Sequence, residues 1–234
     1  MNTKVKTMKL SKETLKILKN FSSLNSNLLV RGGNTINTIT PAKNVVAIAT
    51  VEEDFPVEFG VWDMSKFLGT VSLFEDPEFS FDEKSVTISG KGSGKVSYFY
   101  SEPSLLTTLK KEIKMPEVAI SFDFTSKIFN DILKSASVLQ LEDLCVRSNN
   151  EDGTIELVVM DKKSSTTNTY KVVVGDNPDN NNSFEFYYKI ENLRLLSGDY
   201  TVSICKNVVS RFTHKTCDLI YYVALEMDSK YKEG

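Results

Sequence analysis

The chain has little of what most enzymes use for chemistry. Its 234 residues include a single histidine, His214, and three cysteines, Cys145, Cys205 and Cys217. The cysteines are widely spaced, odd in number and without a C-x-x-C pair, so neither a zinc site nor a disulfide framework is indicated. Reduced, partly buried thiols in a cytoplasmic protein are the expectation. His214 stands in R-F-T-H-K-T-C beside Cys217. A Cys–His dyad there has no visible third group to orient it, and an ordinary structural histidine on a strand is the reading taken. No two carboxylates pair on one helical face as a general acid and base would need. Metal-ligand spacings and nucleotide fingerprints are missing too. The run Gly90-Lys91-Gly92-Ser93-Gly94 lacks the order of a phosphate-binding loop and no helix follows it, which makes it a hairpin turn. No apolar run reaches the ~18 residues of a membrane span. The first residues, M-N-T-K-V-K-T-M-K-L, contain no apolar segment of the kind a signal peptide needs.

What is present is an ordinary globular composition, 41% hydrophobic and 25% charged, long enough for one or two domains. The net charge of −3 argues against binding nucleic acid by bulk charge. Distribution matters more than the sum. Acidic clusters at Glu52-Glu53-Asp54, Asp82-Glu83, Glu142-Asp143 and Glu151-Asp152 are read as loops, and basic residues gather on helices.

The clearest helix is Leu10 to Phe21, L-S-K-E-T-L-K-I-L-K-N-F, with Ser11 as N-cap. At about 100° per residue, Thr14, Leu15, Leu18 and Phe21 share one side. Lys12, Lys16 and Lys19 form a ridge on the other. Asp63 caps a second helix, Met64 to about Leu73, with Met64, Phe67, Leu68 and Val71 inward and Lys66 outward. Thr125 or Ser126 caps a third, Lys127 to about Ser137, with Ile128, Phe129, Ile132, Leu133 and Ala136 inward. Lys127, Asn130, Asp131 and Lys134 lie opposite. A short fourth helix is expected from Lys189 or Ile190 to Leu196, stopped by Gly198, with Arg194 outward. Acids are sparse on these outer faces, Asp131 and Glu191 being the exceptions.

Strand-like runs fill the remainder: Leu28–Val30, Thr35–Thr40, Val45–Val51, Val57–Val61, Glu78–Phe81, Val86–Ser89 and Lys95–Tyr100, then Ala119–Phe124, Leu144–Arg147, Ile155–Met160, Tyr170–Val174, Phe184–Tyr188, Tyr200–Cys205, Val208–Thr213 and Leu219–Glu226. Residues 1–7 are read as a flexible extension, with Met8 a second candidate start. Residues 8–100 form one domain, 101–118 a connector with Pro103 and Pro116, and 119–234 a second domain. Each half repeats strand, helix, strands, short helix and strands with a period of roughly 110 residues, the mark of a duplicated domain and not of a solenoid. Short connections favour antiparallel meanders. Lysines presented by several helices on one side of such a sheet would attract a polyanion without reading its sequence.

The blocks Met8-Lys9-Leu10-Ser11-Lys12, Leu18-Lys19-Asn20-Phe21 with Asn25-Ser26, Phe67-Leu68-Gly69, Gly198-Asp199-Tyr200, and Tyr222-Val223-Ala224-Leu225-Glu226 with Asp228-Ser229 stand in a recognisable order. Through them the sequence resembles the DNA sliding clamps of T4-like bacteriophages. The resemblance runs from Met8 to the end, strongest at the two ends and thin through residues 75–118. It implies an α+β fold of two repeated clamp domains, each with two helices packed on antiparallel sheet, assembling as a homotrimeric closed ring. Duplex DNA would thread the ring independently of sequence. The ring would tether the viral DNA polymerase for processive replication, without catalysis, metal or cofactor of its own. A clamp loader would open it, and a sigma-like factor with its co-activator would use it in late transcription. The cytoplasm of the infected bacterial host would be the location, with no membrane role.

By this resemblance Lys12, Lys16, Lys19, Lys66, Lys127, Lys134 and Arg194 would face the hole. Leu105, Leu106, Ile120, Tyr222 and Leu225 would receive apolar partner tails, or else serve as ordinary core. Val96, Tyr98 and Tyr100 would meet Tyr170, Val172 and Val174 of a neighbouring subunit. The reading set against it is a β-rich viral structural or adaptor protein without a nucleic-acid role.

Overall fold

The computed structural model describes residues 6–164, 166–179, 181–206 and 208–234. The chain divides into two compact units, Met1–Glu112 and Ile113–Gly234.

The first unit runs β1 (Lys6–Lys9), α1 (Lys12–Leu24), β2 (Leu28–Val30), β3 (Gly33–Ile39), β4 (Val45–Phe55), β5 (Phe59–Val61), α2 (Met64–Val71), β6 (Glu78–Phe81), β7 (Ser85–Ser89) and β8 (Lys95–Phe99). Strands β1-β6-β7-β8 form an antiparallel sheet; β3 pairs with β4 and β2 with β5. The core between sheet and helices is aromatic. The Phe59 ring lies 5.4 Å from Phe81, 5.6 Å from Tyr100 and 5.9 Å from Phe55, in the tilted arrangements such rings favour. The β7–β8 connection is the expected hairpin: Gly92 adopts φ 118°, open to glycine alone at no cost.

Two expectations fail in this unit. Lys6 and Thr7 are not part of a free extension: they pair with Phe81 and Ser80, and only residues 1–5 of that segment lie outside the described residues. The polar run K-T-M-K hides a strand because it binds an edge through its backbone and buries almost nothing. Glu52-Glu53-Asp54 is not a loop, since β4 continues to Phe55.

Strand β4 is extended in order to cap a helix. The Ser11 hydroxyl accepts from the Thr14 N–H at 3.1 Å. Glu53 then takes the Ser11 N–H on one carboxylate oxygen and the Thr14 hydroxyl on the other. A carboxylate here also meets the positive end of the helix dipole. Burial pushes the Glu53 carboxyl up, but the hydrogen bonds from Thr14 and Ser11 outweigh it, and the group titrates below its usual range. A carboxyl depressed in the folded state adds stability above its unfolded pKa and loses it as pH falls through the folded value. Glu53→Gln should therefore cost about 1 kcal/mol at neutral pH. In urea melts the gap to wild type should narrow as pH falls below the ordinary glutamate range and through the lowered pKa of the wild-type carboxyl.

The second unit runs β9 (Val118–Phe124), α3 (Ser126–Leu139), β10 (Asp143–Asn149), β11 (Thr154–Met160), β12 (Tyr170–Asp176), β13 (Ser183–Lys189), β14 (Tyr200–Cys205), β15 (Val209–His214), β16 (Leu219–Ala224) and β17 (Lys230–Lys232). Two antiparallel arrays result, β12-β11-β10-β13-β17 and β9-β14-β15-β16. Helix α3 is capped as α1 is: Thr125 accepts from Ile128 N–H at 3.3 Å, and a distant carboxylate, Asp199, accepts from Ser126 N–H at 2.7 Å. That hydrogen bond holds the Asp199 carboxyl below its usual range. Asp143 is no loop residue either; it opens β10, buried, and pairs with Lys189 at 2.7 Å.

The fourth helix does not form. Residues Ile190–Asn192 make a single 3-10 turn, leaving three α-helices among the described residues. Leu193 and Leu195 are buried while Arg194 between them is exposed, a period-two pattern that a helix cannot serve. The Leu196 N–H donates to the Tyr221 hydroxyl and the Leu196 carbonyl accepts from the Tyr200 hydroxyl. Two tyrosines thus take the backbone groups that another helical turn would have satisfied.

The connector is more tightly held than its prolines suggest. The Ser101 N–H donates to the Gly60 carbonyl, and Thr107 N–H donates to Asn27 Oδ1 at 2.9 Å. A Cβ at Gly60 would sit 2.3 Å from the Ser101 carbonyl oxygen and 2.8 Å from Leu106 Cδ1. Its first residues therefore belong to the first unit, and the division falls at Glu112–Ile113.

Candidate nucleic-acid interface

Helix α1 buries Thr14, Ile17, Leu18, Phe21 and Leu24. Ile17 replaces Leu15 on the inner face, because the helix runs three residues past Phe21 and its buried arc is centred accordingly. Lys12, Lys16, Lys19 and Ser23 are exposed on the opposite side, within about 60° of one another at 100° per residue. Lys12 and Lys19 have no carboxylate partner among the described residues, and Lys16 makes a loose 3.4 Å contact with Glu13 on the helix flank. The continuation to Ser23 was missed from sequence, since the serines look like a stop and in fact bond back to the carbonyls of Lys19 and Asn20.

Helix α2 packs against α1. Met64, Phe67 and Val71 are buried and Lys66 points to solvent. The Asp63 carboxylate accepts the Lys66 N–H at 2.9 Å, and this hydrogen bond holds it below its usual range. In the second unit α3 buries Phe129, Ile132 and Ala136 and exposes Lys127 and Lys134. Lys127 donates to Asp131 at 2.7 Å. Arg194 is exposed but lies on the extended segment, not on a helix, with its Nε donating to the Glu191 carbonyl at 3.0 Å.

The residues expected to receive partner tails are not alike. Leu105 is 63% exposed, whereas Leu106 and Ile120 are core. Strand register separates Ile120 from Tyr222: Ile120 shares a row with Ile204, Ser210 and Val223, and Tyr222 shares the next with Arg211, Ser203 and Ser121. Successive residues of a strand face opposite sides, so the proposed pocket cannot use both. Tyr222 and Leu225 are half-buried.

The interface strands stand at sheet edges. Among the described residues, strand β8 is hydrogen-bonded in its sheet to β7 alone, and β12 to β11 alone. Val96, Tyr98 and Tyr100 turn inward; Tyr98 meets Phe67 edge-on at 5.1 Å and its hydroxyl donates to the Asp63 carbonyl, while the Tyr100 hydroxyl donates to the Ser85 carbonyl at 2.7 Å. Burial pushes the Tyr100 hydroxyl up to about 12. Tyr170, Val172 and Val174 are likewise half-buried, alternating with exposed Lys171 and Val173, and a bulge in the β11–β12 register leaves Val174 unpaired between Val173 and Gly175. The outward residues are ones the sequence reading passed over, Phe99 and Val173.

The Cys–His arrangement dissolves on inspection. His214 Nδ1 accepts from the backbone N–H groups of Thr216 and Cys217 at 3.2 and 3.3 Å, which commits that nitrogen to the turn. The ring stands edge-on to Tyr200 at 4.9 Å, in space left by Gly198, where a Cβ would come within 2.1 Å of Nε2. The histidine braces a turn.

Three comparisons with known proteins agree with this geometry. The family described as "gp45 sliding clamp, C terminal" matches residues 121–227. The sliding clamp of Vibrio phage KVP40 is 32% identical over 222 residues, 94% of this chain and 99% of that protein. The sliding clamp of Escherichia phage RB69 is 26% identical over 96% of this chain and 99% of its own. Among solved structures, A. fulgidus PCNA bound to the C-terminal region of FEN-1 superposes with a TM-score of 0.70 at 13% identity, over 97% of this chain and all of that one, a likeness of fold. With its duplicated α+β units and with a relative of this identity along nearly its whole length, the chain belongs to the sliding clamp family of T4-like bacteriophages.

Proposed function

We propose that the protein encircles duplex DNA as a ring and tethers the viral DNA polymerase for processive replication, acting by topology and not by catalysis. The observation that carries this is the α1 face: an apolar back seated in its unit and an outward ridge of Lys12, Lys16 and Lys19. Lysine suits a sliding contact, since it meets phosphate as a flexible point charge and not as a fixed bidentate fork. Lys66, Lys127, Lys134 and Arg194 are assigned to the same inner wall. The ring is a homotrimer joined by β8 of one subunit against β12 of the next. A clamp loader opens it, and the sigma-like factor and co-activator of late transcription engage it in the cytoplasm of the infected host. Leu105, Tyr222 and Leu225 remain assigned to partner tails.

Encirclement has a direct test. Protein loaded by the phage loader onto nicked circular duplex should co-elute with the DNA in gel filtration and be shed when one restriction cut linearises the circle. Equal retention on circle and line would overturn the proposal.

A further inference from the structure

The lysine stripes of the two long helices differ at two of four positions, and at one of them a carboxylate replaces a lysine. On α1 the stripe reads Lys12, Lys16, Lys19, Ser23, with no acid in it. On α3 the same spacing gives Lys127, Asp131, Lys134, Val138, and Asp131 stands inside the stripe. The other carboxylates near helix lysines have different positions. Glu13 lies on the flank of α1 and reaches Lys16 at 3.4 Å, and Asp63, which takes the Lys66 backbone N–H, stands 3.5 Å from Lys66 Nζ. Asp131 Oδ2 is closer, 2.7 Å from Lys127 Nζ, with the lysine side chain 84% exposed. The Ser135 hydroxyl bonds to the backbone carbonyl of Asp131, not to its carboxylate.

An exposed pair of this kind is weak and opens freely. It does little for the fold, yet it offers Lys127 an anion whenever no phosphate is present. Resting on the inner-wall reading above, we propose that Asp131 is a positioning residue for sliding. Its carboxylate substitutes for a DNA phosphate at Lys127, so that the contact breaks and remakes with little change in the lysine's surroundings, and the second unit grips the duplex more lightly than the first. The raised pKa of Lys127, due first to the Asp131 hydrogen bond, agrees with such engagement.

The test is the diffusion of loaded, fluorescently labelled rings on stretched duplex DNA. Asp131→Asn removes the competing charge and leaves the Ser135 backbone bond in place. Diffusion should slow about two- to fivefold at roughly 50 mM salt and match wild type at about 300 mM, as expected when a phosphate contact per subunit is gained. Adding Lys127→Met should restore wild-type diffusion. If Asp131→Asn alone slides as wild type at low salt while the Lys12→Glu, Lys16→Glu, Lys19→Glu variant does not, the role of Asp131 falls and the inner-wall reading stands. If neither variant alters sliding, the inner-wall reading itself falls. Slowing that persists in the Lys127→Met background would overturn the assignment through Lys127.

Discussion

Changing Lys12, Lys16 and Lys19 together to glutamate is expected to reduce loader-dependent processive synthesis on long templates at least tenfold and leave the protomer folded. The two halves of the expectation rest on opposite faces of one helix. All three lysines are exposed, and the buried face of Thr14, Ile17, Leu18, Phe21 and Leu24 is untouched. Exposed substitutions of this kind move stability by about 0.5 kcal/mol or less each. A glutamate at position 12 also favours the helix start, which offsets the unfavourable one at position 19 near its end. Circular dichroism and the melting midpoint should therefore stay close to wild type. The electrostatic effect has no such cancellation. Three positive charges become three negative ones per chain, and each lost phosphate contact lowers the salt slope of binding by about 0.9. Multiplied around the proposed ring, that would convert an attractive wall into a repulsive one. Product length on a long single-primed template is the measurement, at low and moderate salt. Unchanged processivity would remove α1 from the inner wall.

The sequence carried the parts of this fold that depend on periodicity and caps. Ser11, Asp63 and Thr125 each have the side chain and spacing of an N-cap, and each accepts the expected backbone N–H. The strand Tyr200–Cys205, where Tyr, Val and Ile alternate with Thr, Ser and Cys in sequence, was legible to the residue, although Val202 to Cys205 are all buried. The misses share a cause: they are held by partners distant in the chain. Glu53 reads as a loop acid because its reason for being in a strand is a helix terminus 42 residues earlier. The K-T-M-K segment becomes a strand through β6, whose paired residues, Glu78 to Phe81, lie far along the chain from Lys9 to Lys6. Leu193 to Leu196 has helix-compatible composition, but the hydroxyls of Tyr200 and Tyr221 claim its backbone.

The site was legible where it lies on helices and less so elsewhere. Helical spacing alone places Lys12, Lys16, Lys19, Lys127 and Lys134 outward. A partner pocket, by contrast, depends on strand register, which the sequence does not show, and register puts Ile120 and Tyr222 on opposite faces. On the edge strands the alternation was seen, but its sense was taken from the aromatic residues. Those turned inward, to Phe67 and Phe59, and left Phe99 outside.

Phe99 is accordingly where the second large effect is expected. It is 72% exposed, in the outermost strand of its sheet, and Val173 on the edge strand β12 is 54% exposed. An open strand edge bearing an exposed aromatic invites pairing with another chain, and an interface between subunits is the assignment that gives both residues cover. Phe99→Glu leaves the inward contacts of Tyr98 and Tyr100 in place, so the protomer should melt as wild type does. In the proposed ring the same change would forfeit about 1.5–3 kcal/mol of apolar burial per interface and would set a carboxylate in the proposed contact. A penalty of about 3 kcal/mol weakens each contact by roughly 100-fold. Light scattering should then show wild type near three times the 26.3 kDa chain and Phe99→Glu falling toward a single chain at micromolar concentration. Val173→Glu, on the opposite strand, should do the same. A trimer that survives both changes would mean that subunits join through other strands. A wild type that is monomeric at high concentration would remove the ring altogether, since a lone protomer has no way to surround a duplex.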